Sequence, residues 1–251
     1  MSSIDEYRSF LMADFKDSEF VETNQEKGFA EPLTEKAYDE NAKIIDLVFP
    51  DLLSCGEKNL LTLINERKTR RVYSPQSLSL EELSYLLWCV QGIKKKSENG
   101  FGTLRTVSSA GGRHPFETYL VVLNVNNLKR GIYRYLPLEH KLLFVSVVED
   151  LEEKLSEACS NQKFVSKSAV TFIWTTIPYR MEWRYGVKSY KVIAIEAGHV
   201  CQNLYLAAES IGSGICAISG YDQKKMDALL SIDVNEEFTV YLASVGKQLV
   251  Q

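Results

Sequence analysis

The 251-residue sequence lacks long hydrophobic runs and has few cysteines. No apolar run approaches the roughly 18 residues that a membrane-spanning helix needs, and the polar, acidic N-terminus has no apolar signal core. The cysteines are odd in number, widely spaced and form no CxxC pair, which suits thiols that serve as small core residues in a reducing compartment. These absences predict a cytoplasmic protein, with no membrane association. The cysteines are Cys55, Cys89, Cys159, Cys201 and Cys216.

The sequence also has no excess of positive charge; its formal net charge at pH 7 is -4. Nucleic acid and anionic membranes attract strongly basic surfaces, so neither is an expected partner. The three histidines, His114, His140 and His199, form no HExxH motif and no cluster with cysteine, which predicts no metal site. Also absent are GxGxxG after a strand, GxxxxGK[ST] and GxSxG, so a Rossmann site, a P-loop and a nucleophile elbow lack support.

The residues that are present, 45% hydrophobic and 25% charged, suit one large globular domain with an extension. Residues 1–58 mix charges with aromatic residues and show weak periodicity, which predicts an extended N-terminal arm with short helical pieces. Regular patterns begin near Leu60, so residues 59–251 are predicted to form the folded body. The arm cannot build a core alone.

Periodicity predicts the elements of this body. A short helix starts at Leu60 and ends before the arginine-rich segment. The capping-box spacing of Ser79 and Glu82 begins a second helix. Further helices are predicted over Asp150–Cys159 and from an Asp222 cap to Leu230. Buried strands are predicted in 116–125, 168–177, 212–222 and 237–246, with a hairpin in 131–148 that turns near 137–141.

The segment from Gly186 to Ile211 predicts a central helix of about seven turns, because apolar residues recur at spacings of three and four. Apolar residues on its other faces predict that it is buried almost all round. A helix with more apolar surface than one subunit can cover is typical of a dimer interface. The architecture is therefore α+β, dominated by one long helix.

A cationic segment, RKTRR at 67–71, follows the first helix. Arginine makes bidentate contacts with phosphate, so the segment is a candidate anion site. The alternative is a solvated charge run that balances a helix C-terminus.

These features together resemble the FMN-dependent nitroreductase superfamily, and most of all its SagB-type branch, the flavin-dependent azoline dehydrogenases and their stand-alone relatives. The resemblance covers roughly residues 60–247, in the expected order. It implies a nitroreductase-like fold with a mostly antiparallel central sheet flanked by helices, a long buried helix and a dimer with FMN at the subunit interface. The segments that carry it are RKTRRVY, LLWCVQGI, RTVSSAGGRHPFETY, GIYRY and AIEAGHVCQNLYLAAESIGSGICAISGYD.

The resemblance also implies cofactor-binding residues. The phosphate and ribityl chain would be held by Arg67, Thr69 and Arg71, with Lys68 as a further candidate. The flavin would be lined by Ser109, Gly111 and Arg113; a guanidinium near the pyrimidine ring stabilises reduced flavin. The remaining candidates are Gln162, with Asn161 as its rival, Ser219 and Gly220 in a strand-ending turn, and Lys247, which is alternatively an exposed terminal lysine. His114 either joins these flavin-lining residues or only fixes the loop through a hydrogen bond.

The sequence departs from the family at two places. Ser108 replaces the usual proline of the PSAG loop. Arg184 and Tyr185 stand where azoline dehydrogenases have a catalytic Lys-Tyr pair; arginine stays protonated and is a poor general base, although Tyr185 still offers a hydrogen bond. Tyr179, Trp183 and Tyr185 form either a lid over the flavin or ordinary packing at the start of the long helix.

The leading functional prediction is an FMN-dependent oxidoreductase of the nitroreductase type, with NAD(P)H as reductant and a small-molecule acceptor. One alternative is a dehydrogenase that oxidises thiazoline or oxazoline rings in a modified peptide. Another is a non-catalytic flavin-binding scaffold subunit in a modification complex. The flavin would carry the redox chemistry in each enzymatic case.

Overall fold

A computed structural model describes Ile4, Arg8, 10–12, 22–97 and 102–249 of the chain. Its helices are α1 (Leu60–Glu66), α2 (Leu80–Gln91), α3 (Leu151–Ala158), α4 (Tyr179–Tyr185), α5 (Ser189–Ser210) and α6 (Gln223–Leu230). Its strands are β1 (Ile44–Asp46), β2 (Ile93–Lys96), β3 (Thr103–Arg105), β4 (Phe116–Val122), β5 (Gly131–Leu136), β6 (Lys141–Ser146), β7 (Val170–Thr176), β8 (Ser213–Ile218) and β9 (Phe238–Lys247).

Seven strands form one antiparallel sheet in the order β1-β6-β5-β4-β7-β9-β8. The central strands β4 and β7 are buried along their whole lengths, which explains why their sequences are apolar on both faces. Strands β2 and β3 form a separate two-stranded sheet. The predicted mostly antiparallel sheet with flanking helices is confirmed.

Local sequence signals set the helix boundaries. Ser79 and Glu82 form the complete capping box that was predicted for α2. The Asp222 carboxylate accepts a hydrogen bond of 3.0 Å from the backbone N–H of Lys225, as predicted for the start of α6.

The predicted long helix is α5, preceded by a short 3-10 turn at Gly186–Lys188. Its C-terminal half is enclosed, but its N-terminal half is not, since Tyr190 and Ile195 are 46% and 51% exposed. Other residues of this half, such as Ile193 and Ala197, are buried, so one face of it is exposed. The prediction of burial almost all round is therefore not met within a single chain.

The fold differs from the predictions at three places. Strand β1 belongs to the predicted arm, yet it pairs with β6 at the sheet edge. The β2–β3 pair was not predicted, because the exposed IKKK segment has no alternating pattern. The aromatic segment 179–185 is not the start of the long helix but a helix of its own, which ends where Gly186 adopts φ +52°.

All five cysteines are free thiols, and Cys159, Cys201 and Cys216 are buried, as predicted for small core residues. Within the described residues, no helix is both long enough and apolar enough to span a bilayer.

Candidate functional site

The residues predicted to bind the phosphate and the ribityl chain directly follow α1. We call these residues, Arg67, Lys68, Thr69 and Arg71, the cationic cluster. Thr69 forms a parallel bridge with Ile215 of β8, and the Arg70 N–H donates to the Ile215 carbonyl at 2.8 Å. This short pairing fixes the backbone of the cluster against the sheet.

A cavity of about 570 Å³ opens beside the cationic cluster, and Lys68, Arg70 and Arg71 line it. Of these, Arg70 is bound to Glu209, with Nη2 3.0 Å from Oε1. Among the described residues, no carboxylate lies within ion-pair distance of Arg67, Lys68 or Arg71. The cavity therefore presents cations that remain free to hold an anion.

Tyr205 of α5 joins the cationic cluster to β8. The Arg67 guanidinium lies 5.3 Å from the centre of the Tyr205 ring. The Tyr205 hydroxyl lies 3.0 Å from Thr69 Oγ1 and accepts a hydrogen bond of 3.1 Å from the Ala217 N–H. Two predicted residues and the end of β8 are thus held by one buried tyrosine.

Gln162 and Gly220 are in direct contact, because the Gln162 amide donates to the Gly220 carbonyl at 2.9 Å. Phe164, two residues further on, lies 5.8 Å from the Arg71 guanidinium. Ser219 and Gly220 are exposed just beyond β8, while Asn161 is exposed and has φ +60°. The structure therefore brings Gln162, rather than Asn161, to the predicted turn.

Lys247 does not point freely into this region. Its ammonium group forms an ion pair with Glu82 and donates to the Ile211 carbonyl at 3.0 Å. Its side chain is 13% exposed. Its predicted contact with phosphate would require this ion pair to open.

The second group of predicted residues lies in the segment 108–115, which we call the glycine loop. Gly111 and Gly112 have φ +58° and +66°, values that favour glycine. A Cβ atom on Gly111 would lie 2.6 Å from Tyr185 Oη and 3.0 Å from Arg184 Cδ. The predicted Arg184-Tyr185 pair thus packs directly on the glycine loop.

Glu196 of α5 is hydrogen-bonded to the backbone of the glycine loop. Its carboxylate accepts a hydrogen bond of 2.6 Å from the Ala110 N–H, and a hydrogen bond from the Ser109 side chain adds to this support. Burial raises the pKa of Glu196, although these two hydrogen bonds oppose the shift.

The contacts of His114 agree with the structural alternative, in which it fixes the loop. Its backbone N–H donates to Ser109 Oγ at 2.9 Å, and its ring Nε2 lies 3.2 Å from the Thr103 carbonyl. Burial, together with the nearby Arg105 guanidinium, lowers the pKa of His114 to about 3. The side chain is therefore neutral at physiological pH and cannot act as a cation there.

Arg113 is buried, with only 7% of it exposed, although it lies in a loop. Its guanidinium lies 5.1 Å from the centre of the Trp183 ring and forms an ion pair with Glu31 of the arm. Nε also donates to the Gly111 carbonyl at 3.3 Å. Of the three aromatic residues of α4, Trp183 is buried, whereas Tyr179 is 38% exposed.

The two groups contact different parts of the same helix. The glycine loop rests on Glu196, and the cationic cluster rests on Tyr205, nine residues later. At 1.5 Å per residue these positions are about 13 Å apart along the helix axis. The cationic cluster and the glycine loop are therefore two separate groups on one chain.

Three side chains at the site were not predicted. Glu196 interrupts the apolar pattern of α5, and this acidic residue on a mostly apolar helix was an available signal. Tyr205 carries no such signal, because an aromatic residue in a buried helix normally packs in the core. Glu31 meets Arg113 across 82 positions, and no local pattern predicts such a contact.

Residues 64–247 match the Nitroreductase family, so the chain belongs to that family. A protein of Methanocaldococcus jannaschii named as a nitroreductase is 29% identical over 205 residues, covering 82% of this chain and 98% of that protein. The trifolitoxin-processing protein TfxB of Rhizobium leguminosarum bv. trifolii is 28% identical over 63% of this chain and 44% of its own length. The microcin B17-processing protein McbC of Escherichia coli is 25% identical, covering 57% of each chain.

Solved structures show the same fold. A protein of Ralstonia eutropha described as a nitroreductase superimposes with TM-score 0.69 and 23% identity over 86% of this chain and 94% of that chain. A chain from the Escherichia coli microcin synthetase McbBCD complex with truncated pro-MccB17 bound gives TM-score 0.62 and 20% identity. The match covers 84% of this chain and 80% of that chain. A longer protein of Anabaena variabilis, also described as a nitroreductase, gives TM-score 0.67 and 22% identity over 84% of this chain and 42% of that chain.

The predicted superfamily, its SagB-type branch and the nitroreductase-like fold are confirmed. The chain is an oxidoreductase of the nitroreductase family, whose members generally bind a flavin. It spans about half the length of the two peptide-processing relatives.

Proposed function

We propose that the protein is an FMN-dependent oxidoreductase that uses NAD(P)H to reduce a small-molecule acceptor. The observation that carries the proposal is the cationic cluster: Lys68 and Arg71 line a cavity of about 570 Å³ and, among the described residues, have no carboxylate within ion-pair distance. A flavin that carries a phosphate suits this set of donors better than a flavin without one.

The other predicted residues would bind the ribityl chain and the flavin ring. Thr69, held by Tyr205, would bind the ribityl chain, and the turn at Ser219 and Gly220, held by Gln162, would approach the ring edge. Ser109, Gly111 and Arg113 would line the ring from the glycine loop. FMN, when bound, would supply hydride transfer at N5. Lys247 is a further candidate for the phosphate only if it leaves Glu82.

We propose that the protein is a homodimer in which each FMN lies between the cationic cluster of one subunit and the glycine loop of its partner, and we call these two groups the half-sites. The exposed face of the N-terminal half of α5 supports this arrangement, since Tyr190 and Ile195 are about half exposed in the single chain.

The first test is an anaerobic absorbance titration of the protein, reconstituted with FMN, against NADH and then NADPH. We expect the oxidised flavin band to disappear and to return when a nitroaromatic or a quinone is added. If FMN binds and neither nicotinamide reduces it, this proposal is wrong and the dehydrogenase or scaffold alternative takes its place.

A second test concerns the cationic cluster. The Arg71→Met variant is expected to bind FMN at least tenfold more weakly, which is about 1.4 kcal/mol, while its affinity for riboflavin stays the same. Arg130→Met is the matched control, because Arg130 is 55% exposed and pairs with Glu152 on the surface. An equal loss for both flavins would contradict phosphate binding by Arg71.

The second candidate function is oxidation of an azoline ring in a modified peptide. It is favoured by the similarity to TfxB and McbC, whose names state that they process trifolitoxin and microcin B17. Tyr185, packed against Gly111, would then contact the substrate, with Arg184 beside it. Reduction of the bound flavin by an azoline-containing peptide, and not by nicotinamide, would support this function.

A further inference from the structure

The N-terminal arm makes a charged contact with the glycine loop at Glu31. Glu31 forms an ion pair with Arg113, and the two side chains are 24% and 7% exposed. A pair that is this far removed from water is screened only weakly, so each charge strongly changes the electrostatic potential that the other produces nearby. The Glu31 carboxylate therefore lowers the positive potential around Arg113.

Contacts on both sides hold Glu31 in this position. The Gln25 N–H donates to the Trp183 carbonyl at 2.8 Å, and the Trp183 indole donates to the Phe29 carbonyl at 3.0 Å. On the other side, Arg105 donates to the Thr34 carbonyl at 2.9 Å. The arm is thus anchored before and after Glu31.

Among the groups that touch the Arg113 guanidinium, the Glu31 carboxylate carries the charge that balances it. The other groups that touch the guanidinium are the Trp183 ring and the Gly111 carbonyl, and both are neutral. The neighbouring His114 is uncharged at neutral pH, because its pKa is lowered to about 3. In the described part of the chain, Glu31 is the carboxylate within ion-pair distance of Arg113.

We propose that Glu31 is a positioning residue that holds Arg113 against Trp183 and, by balancing its charge, sets the reduction potential of the bound flavin. The inference rests on the proposed function, in which Arg113 lines the flavin ring. Reduced flavin is anionic, so an unbalanced guanidinium would stabilise it more than the Glu31–Arg113 pair does.

The test is the midpoint potential of FMN bound to the full-length protein, measured by spectroelectrochemical titration. Glu31→Gln keeps a hydrogen-bond acceptor for Arg113 and removes the charge, so we expect a more positive potential with little change in affinity for oxidised FMN. Glu31→Asp retains the charge at a greater distance and is expected to shift the potential less, in the same direction. Glu40→Gln, an exposed position on the same arm, is the matched control and is expected to match the wild type.

The opposite change at the other member of the pair shows whether the balance of charge sets the potential. Arg113→Gln removes the cation, so we expect it to lower the potential, whereas Glu31→Gln raises it. With FMN bound, an unchanged or higher potential in Arg113→Gln, or an unchanged or lower potential in Glu31→Gln, would overturn the inference and leave the proposed function intact. If Glu31→Gln does not fold, an unchanged potential in Glu31→Asp overturns it instead. A wild-type protein that binds no FMN would refute both.

Discussion

At the scale of single residues, the two glycines of the glycine loop make different demands. Gly111 and Gly112 both have a positive φ, but a Cβ atom would collide with Tyr185 only at Gly111. Alanine at Gly112 is expected to cost about 1–2 kcal/mol for the left-handed backbone alone. Alanine at Gly111 adds the steric clash, so we expect a larger loss of roughly 3 kcal/mol.

Chemical denaturation of the two variants, with the free energy of unfolding as the readout, measures this difference. Adding Tyr185→Phe to Gly111→Ala removes the hydroxyl that the new methyl group would meet and is expected to restore part of the lost stability. Equal losses at the two glycines would show that Tyr185 does not press on the loop.

His114 is expected to make stability depend on pH. Its folded-state pKa of about 3 lies below the ordinary value of 6.5, so between these pH values the unfolded chain binds a proton that the native chain does not. Stability contributed by the neutral imidazole is present above pH 6.5 and falls as the pH decreases, by up to about 1.4 kcal/mol per pH unit.

We therefore expect the free energy of unfolding to fall by roughly 2 kcal/mol between pH 7 and pH 5 through this group. His114→Asn should show a smaller fall, since asparagine tolerates the φ of +46° and does not titrate. His199→Asn, at an exposed position on α5, is the control and should retain the wild-type slope. Identical slopes in all three proteins would contradict the burial of a neutral His114.

Local backbone features could be predicted where the signal is local in sequence. Hydroxyls, glycines and an arginine within eight consecutive residues predict a loop, and Gly111 and Gly112 have positive φ there. The contact of this loop with flavin stays a prediction. The partner of Arg113 could not be predicted, because Glu31 lies in a segment of weak periodicity and meets it only after the chain has folded. The same holds for the Glu82 partner of Lys247.

At the scale of elements, the start of α2 illustrates how a short motif fixes a boundary. The Ser79 hydroxyl accepts a hydrogen bond of 3.0 Å from the Glu82 N–H, and the Glu82 carboxylate accepts one of 2.9 Å from the Ser79 N–H. Ser79→Ala removes the first bond only, and we expect it to cost about 1 kcal/mol in thermal or chemical unfolding. Ser79→Thr keeps a hydroxyl and should lose much less; an equal loss would mean that the cap contributes nothing.

The elements that could be predicted are those with strong periodicity, such as α5, or with continuous apolar runs, such as β4 and β7. The missed elements have neither signal. Strand β1 has three residues and depends on pairing with β6, and β2 consists largely of exposed lysines. Helix α4 is separated from α5 only by the turn at Gly186–Lys188, so the periodicity of the two helices looks continuous in the sequence.

At the scale of the whole molecule, the arm is part of the architecture rather than an appendage. It adds strand β1 to the sheet, and Lys36 joins it to the body, with its backbone N–H 2.8 Å from Glu117 and its carbonyl 2.8 Å from Arg134. Glu117 and Arg134 are each 2% exposed, so the arm covers charges that the body would otherwise expose. The arm and the body are therefore expected to fold together, and the boundary near residue 58 stays a prediction.

The last prediction concerns the proposed dimer. Ile195 is 51% exposed on the uncovered face of the N-terminal half of α5, so a glutamate there would bury an unpaired charge in the proposed interface. We expect Ile195→Glu to weaken the dimer roughly 100-fold, which is about 2.7 kcal/mol, and to weaken FMN binding with it because the half-sites separate. Val234→Glu is the matched control, since Val234 is 56% exposed in the segment before β9. Analytical ultracentrifugation at several concentrations, with FMN fluorescence in parallel, measures both effects. If Ile195→Glu became monomeric and still bound FMN with wild-type affinity, one chain would suffice for the cofactor and the interface site would be refuted.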